Sequence, residues 1–130
     1  MTKLKNLVKF NFSLVLLLLL TSCYEQECDC KKYKEGTFEF TQKINGKNET
    51  STFTRTANKQ IETYQGKTDS AHVRWVNDCE FILQKIKPKS REDKKAIAIK
   101  ILTTNNKGYA FEYSFVGESK KNIGFVTKVK

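Results

Sequence analysis

Thr37-Phe38-Glu39-Phe40-Thr41-Gln42-Lys43-Ile44 runs into Asn45-Gly46 and then, after three polar residues, into Thr50-Ser51-Thr52-Phe53-Thr54-Arg55-Thr56. The first run places Phe38, Phe40 and Ile44 on one face and Thr37, Glu39, Thr41 and Lys43 on the other. That period of two is a strand half-covered by a core. Asn-Gly is the strongest short hairpin signal, because both residues tolerate positive φ. The second run, with Phe53 among threonines, is the returning strand. The rest of the chain repeats the plan. Strands are expected at 60–65, 70–76, 79–86, 96–104, 109–116 and 122–129. They are separated by Ala57-Asn58-Lys59, Gly66-Lys67, Asn77-Asp78, Asn105-Asn106-Lys107-Gly108 and a polar loop at 117–121. Strand three carries Ile61 and Tyr64 on opposite faces, so its inner face is open. Strand four sets Ala71, Val73 and Trp75 against His72, Arg74 and Val76. Strand eight sets Ile123, Phe125 and Val129 against Gly124 and Val126. Between strands five and six, Ser90 and Asp93 have the spacing that caps one helical turn.

Eight short antiparallel strands joined mostly by hairpins predict an all-β, up-and-down meander. An open meander exposes two edges and closure removes them. A small closed barrel is therefore expected; periodicity does not separate it from a two-sheet sandwich. A barrel of eight strands is just filled by its own side chains, or holds one small ligand.

Upstream, Lys3, Lys5 and Lys9 precede the apolar run from Leu14 to Leu20, and Thr21-Ser22-Cys23 follows. A basic start, an apolar centre and a small-residue exit make a secretory signal peptide. The apolar run is about half the roughly 20 residues a membrane-spanning helix needs. Leu20-Thr21-Ser22-Cys23 resembles the lipobox of bacterial lipoproteins. That resemblance implies cleavage after residue 22, lipidation of Cys23 and anchoring to a membrane. It also implies the outer membrane, since Tyr24 stands where an acid would favour inner-membrane retention. Residues 1–22 are thus expected as leader, 23–35 as a charged, lipidated tether and 36–130 as the barrel domain.

The chain has a formal charge of +10, which falls to +7 without the leader. Its lysines are dispersed, and export argues against nucleic acid as partner. With Cys23 lipidated, Cys28, Cys30 and Cys79 remain. An oxidising compartment favours one disulfide and one spare thiol. A bridge from the tether to Cys79 would pin the chain where it enters the domain, and Cys30 is favoured as nearer the first strand. No metal site is expected, since His72 is the sole histidine and zinc sites usually take four N/S donors. No cofactor is expected. Neither a Gly-x-Ser-x-Gly nucleophile, a phosphate-binding glycine loop nor a histidine cluster is present, so the chain is read as non-enzymatic.

Arg55, Tyr64, Arg74 and Trp75 form the candidate ligand-binding set. An arginine pointing into a small barrel is a costly buried charge unless it is paired or holds an anion. The ordinary reading has Arg55 and Arg74 facing solvent across neighbouring strands. Tyr109, Phe111, Tyr113 and Phe115 share one face, as core or as the wall of an apolar pocket.

Gly36-Thr-Phe-Glu-Phe, Gly66-Lys-Thr-Asp-Ser, Val73-Arg-Trp-Val-Asn-Asp-Cys-Glu-Phe, Lys100-Ile-Leu-Thr-Thr and Tyr109-x-Phe-Glu-Tyr-Ser resemble a group of small bacterial lipoproteins of unassigned role. The similarity covers nearly the whole mature chain. Members often carry the label DNA topoisomerase IV, which a short exported chain without a gyrase-type breakage domain does not support. The resemblance implies the same Cys30–Cys79 bridge and leaves Cys28 as a departure. The architecture is also similar to lipocalin-like domains, which implies a barrel with one mouth. The function expected is an anchored binding module for a small apolar or amphipathic ligand. The alternative is a protein-interaction factor, an inhibitor or accessory subunit of an envelope complex. A lysozyme target is disfavoured, since two basic proteins repel.

Overall fold

The computed structural model describes residues 28–130. The expected leader, the expected lipidation site Cys23 and the first part of the expected tether lie outside the described residues. The eight strands are β1 (Gly36–Ile44), β2 (Lys47–Arg55), β3 (Lys59–Tyr64), β4 (Lys67–Asn77), β5 (Glu80–Lys85), β6 (Ile97–Thr104), β7 (Gly108–Phe115) and β8 (Asn122–Lys128). Each pairs antiparallel with the next, and β8 returns to β1, so the sheet is a closed up-and-down barrel. The closed barrel, rather than the sandwich, is what forms.

Two tight turns set the register of the first four strands. Asn45 and Gly46 take φ of 51° and 78°, and Ile44 pairs directly with Lys47. Gln65 and Gly66 do the same with φ of 48° and 74°, and Tyr64 pairs with Lys67. Positive φ at both central residues matches the twist of the flanking strands. The ladders therefore run right up to each turn. This is why β2 begins at Lys47 and β4 at Lys67, three residues earlier than hydrophobic alternation alone predicts.

The inner face carries Phe38, Phe53, Ile101, Tyr109, Phe111 and Val126 as a continuous buried cluster. Phe38 and Phe53 sit opposite each other on β1 and β2, with ring centroids 5.1 Å apart. On β8 it is the face of small residues that turns inward. Val126 is buried, while Ile123 is 65 % exposed and Phe125 is exposed beside it. Space explains the choice. Phe40 and Phe111 meet edge to face across Gly124, and a Cβ there would approach both rings to 2.8 Å.

The β1–β8 seam is the shortest ladder, with Phe38, Glu39 and Phe40 paired to Lys128, Thr127 and Val126. Thr37 extends it, donating its N–H to the Lys130 carbonyl at 2.9 Å and accepting from Val129 N–H at 2.8 Å. One end of the barrel is plugged. Cys30–Tyr33 forms a 3-10 turn, with Cys30 and Tyr33 fully buried in the core cluster. Two residues of the expected tether, Cys30 and Tyr33, are thus part of the core, while Lys31, Lys32 and Glu35 are exposed. The lysines hide this in the sequence, because only Cys30 and Tyr33 turn inward.

The plug is bonded to the barrel. Cys30 is joined to Cys79 in the β4–β5 turn, with Cα atoms 5.2 Å apart. Tyr33 donates its hydroxyl proton to the Asn105 carbonyl in the β6–β7 turn. Cys28 is a free thiol, donating to the Leu102 carbonyl at 3.0 Å. The disulfide closes a loop across a sequence separation of 49, worth about 4 kcal/mol by chain entropy. The double variant Cys30→Ser, Cys79→Ser should lose stability of that order in urea unfolding, and reductant should have no further effect on it.

Candidate functional site

The last residue of β2 decides the character of the plugged end. Arg55 shares the inner face of its strand with Phe53 and Ser51 and is 2 % exposed. It does not face solvent, and β2 is not a neighbour of β4, because β3 lies between them. The expectation of two solvent-facing arginines on adjacent strands therefore fails for Arg55. Its guanidinium donates from Nε to the Lys34 carbonyl at 2.9 Å and from Nη2 to the Tyr33 carbonyl at 2.6 Å. Nη2 also reaches the Tyr109 hydroxyl at 3.1 Å, and Nη1 reaches Gln60 Oε1 at 3.1 Å. The rings of Phe81 and Phe38 lie 4.6 and 4.8 Å from the guanidinium carbon. A buried cation is tolerable when fixed dipoles and aromatic faces replace water. This arginine clamps the chain's own backbone, and its four named acceptors all belong to the chain itself.

Trp75 stands at the same end. Its ring lies 4.5 Å from that of Phe81 and 5.7 Å from Arg55. Its indole Nε1 is buried without a hydrogen-bond partner among the described residues. Lys34 covers the ring at 4.9 Å and pairs with Asp78 at 2.9 Å. That hydrogen bond holds the Asp78 carboxyl below the ordinary carboxylate range. Arg74 points outward and is exposed. Tyr64 ends β3 next to the Gln65-Gly66 turn, on the inner-face parity of Glu62. The structure brings Arg55 and Trp75 together and leaves Tyr64 and Arg74 apart from them.

The opposite end holds a cavity inside the barrel. Its volume is about 290 Å³, and it lies between the inner faces of β3–β7 and the β5–β6 connection at the rim. Leu83, Ile97 and Phe115 form one apolar wall, in register across β5, β6 and β7. Gln60 and Glu62 of β3 face it with Asp69 and Ala71 of β4. The rim is held by a short 3-10 turn, Glu92–Lys94. Asp93 N–H donates to Ser90 Oγ at 3.1 Å, and Lys89 N–H donates to Asp93 Oδ2 at 3.1 Å. The Ser90–Asp93 spacing thus makes the turn expected from sequence. Lys85 binds Asp93 at 3.2 Å and Asp69 at 3.5 Å. Burial pushes the Lys85 pKa down, but the two carboxylates outweigh it and hold it above its ordinary value.

Glu62 is the unusual member. Burial first, then the Asp69 carboxylate, pushes its pKa above the ordinary value. The Ser51 hydroxyl and Lys85 oppose the shift without cancelling it. Gln60, 8 % exposed, accepts from Arg55 through its carbonyl oxygen and also lines the cavity. Neither residue was expected from sequence, because β3 has Ile61 on the other face and Ile61 is exposed. The polar Gln60-x-Glu62 face gains meaning only when β2 and β4 fix which way it points. Family models, curated proteins and solved structures were compared with the chain, and none matches.

Two predictions follow from these ends. Arg55→Met leaves the Tyr33 and Lys34 carbonyls without their donor and should cost about 3 kcal/mol or more in denaturant unfolding. Arg55→Lys should recover only part of that, since an ammonium lacks the fork that spans four acceptors. Glu62 has the opposite sign. An acid whose folded pKa is raised adds stability below its unfolded pKa, and that stability is lost as pH rises through the folded one. Glu62→Gln should therefore melt higher than the wild type at pH 7. The difference should vanish below roughly pH 4, where both states carry a protonated Glu62.

Proposed function

We propose that the protein is a lipid-anchored envelope module that binds one small apolar or amphipathic molecule in the mouth of its barrel and performs no covalent chemistry. The observation that carries this reading is the division of the barrel interior. The plugged half is packed with aromatic side chains around Arg55, whereas the other half keeps a cavity with an apolar wall and a few polar groups. Ligand sites generally have that composition, and about 290 Å³ is at the small end of their range. Anchoring rests on Leu20-Thr21-Ser22-Cys23. The Cys30–Cys79 bridge suits the oxidising compartment that an outer-membrane lipoprotein meets.

Native mass spectrometry of the full chain, purified from membranes, tests the reading. The wild type should carry a bound small molecule or take up 2-naphthol. Ala71→Phe, which fills the cavity from β4, should lose both while melting within a few degrees of the wild type. A wild-type chain that is ligand-free and takes up no naphthol overturns the reading.

A further inference from the structure

The charges around the cavity do not balance, and their imbalance opposes that of the whole protein. The chain is strongly basic. Yet the cavity is lined by four carboxylates, Glu62, Asp69, Glu92 and Asp93, against two ammonium groups, Lys85 and Lys95. Both lysines are already shared. Lys85 lies between Asp69 and Asp93, and Lys95 bridges Glu92 at 3.5 Å and Glu118 at 3.2 Å. No ion pair among the described residues reaches Glu62, whose closest charged neighbour on β4 is the like-charged Asp69 in direct register. Opposite stand Leu83, Ile97 and Phe115, which offer no proton acceptor.

We propose that the ligand is an amphiphile with one protonated amine, its ammonium on Glu62 and its apolar body against Leu83, Ile97 and Phe115. This assigns a ligand class to the cavity and rests on the binding reading above. A cation there supplies the counter-charge that Glu62 lacks, and relieves its repulsion with Asp69. An anionic ligand would add a negative charge where two acids already face each other. A neutral apolar ligand would leave Glu62 half-buried without an ion-pair partner, opposed only in part by Ser51 and the more distant charge of Lys85. A metal ion does not suit the geometry, because among the described residues no group of His, Cys, Asp and Glu side chains is disposed to hold one. Gln60, which lines the cavity with its carbonyl oxygen already engaged by Arg55, has its amide N–H groups left as donors for a hydroxyl or carbonyl oxygen on the same ligand.

Three molecules of one shape and different charge decide the matter: 2-phenylethylamine, 2-phenylethanol and phenylacetate. Binding is measured by calorimetry on the full chain in lipid nanodiscs, with empty nanodiscs as the blank. The amine should bind about tenfold more tightly than the alcohol, as expected for one charge-assisted hydrogen bond in a half-buried site. Phenylacetate should bind most weakly. Glu62→Gln should bring the amine to the level of the alcohol while leaving alcohol binding in place. If the alcohol or phenylacetate matches or exceeds the amine on the wild type, the ammonium assignment is wrong and the apolar site stands. If none of the three binds, the binding reading itself falls. The wild-type comparison decides the outcome even if Glu62→Gln folds poorly.

Discussion

The Arg55 guanidinium is a full positive charge, buried, with no carboxylate among its partners in the described residues. Removing such a charge from water costs several kcal/mol, even in a relaxed protein. Arg55 can occupy its place only if fixed dipoles stand around it. The carbonyls of Tyr33 and Lys34 are two of them, and they belong to the segment just before β1. The buried charge therefore dictates where that segment lies. Once residues 33 and 34 are held across the barrel end, Tyr33 reaches the Asn105 carbonyl and Cys30 reaches Cys79. The plug, the disulfide and the Tyr33 hydrogen bond all act on the same short segment whose carbonyls the arginine needs as acceptors.

The same constraint explains why the two ends differ. At the plugged end, aromatic rings of Phe38, Phe53, Phe81 and Tyr109 crowd the guanidinium, and little space remains. Lys34 lies over Trp75 and, by pairing with Asp78, ties the β4–β5 turn to the plug a second time. At the mouth no comparable group gathers the strands. Ion pairs of Lys85 and Lys95 hold the rim, and these are partly exposed, where such pairs contribute little individually. Stability thus concentrates at one end and the cavity at the other. Glu62 sharpens the contrast, because its ionised side chain lowers stability where a ligand would be received. Destabilising groups of this kind are commonly found at functional sites.

Much of the fold is legible in the chain. The alternation of Phe38 and Phe40 with threonine and glutamate, the Asn45-Gly46 turn and the close spacing of later turns lead to eight antiparallel strands in order. Cys30 and Cys79 could be paired because they flank the first strand and a tight turn. The candidate site was legible only in part. Arg55 and Trp75 stood out as chemically unusual and do meet, but at the plug. Gln60 and Glu62 did not stand out, since polar residues on a strand ordinarily face water.

The pleat of a strand is local: successive side chains alternate because of backbone geometry. The sequence by itself therefore determined which residues share a face, roughly where the hairpins turn and that the strands follow one another antiparallel; closure into a barrel rather than a sandwich came from the tertiary structure. Which face lies inside is not local. It is decided when β8 closes on β1 and each strand's register is fixed by neighbours far away in sequence. Tertiary structure alone turned Gly124 inward and Ile123 outward, buried Arg55 and faced Glu62 toward Leu83, Ile97 and Phe115. Those orientations depend on the space left by other strands and on acceptors that only the folded chain brings together.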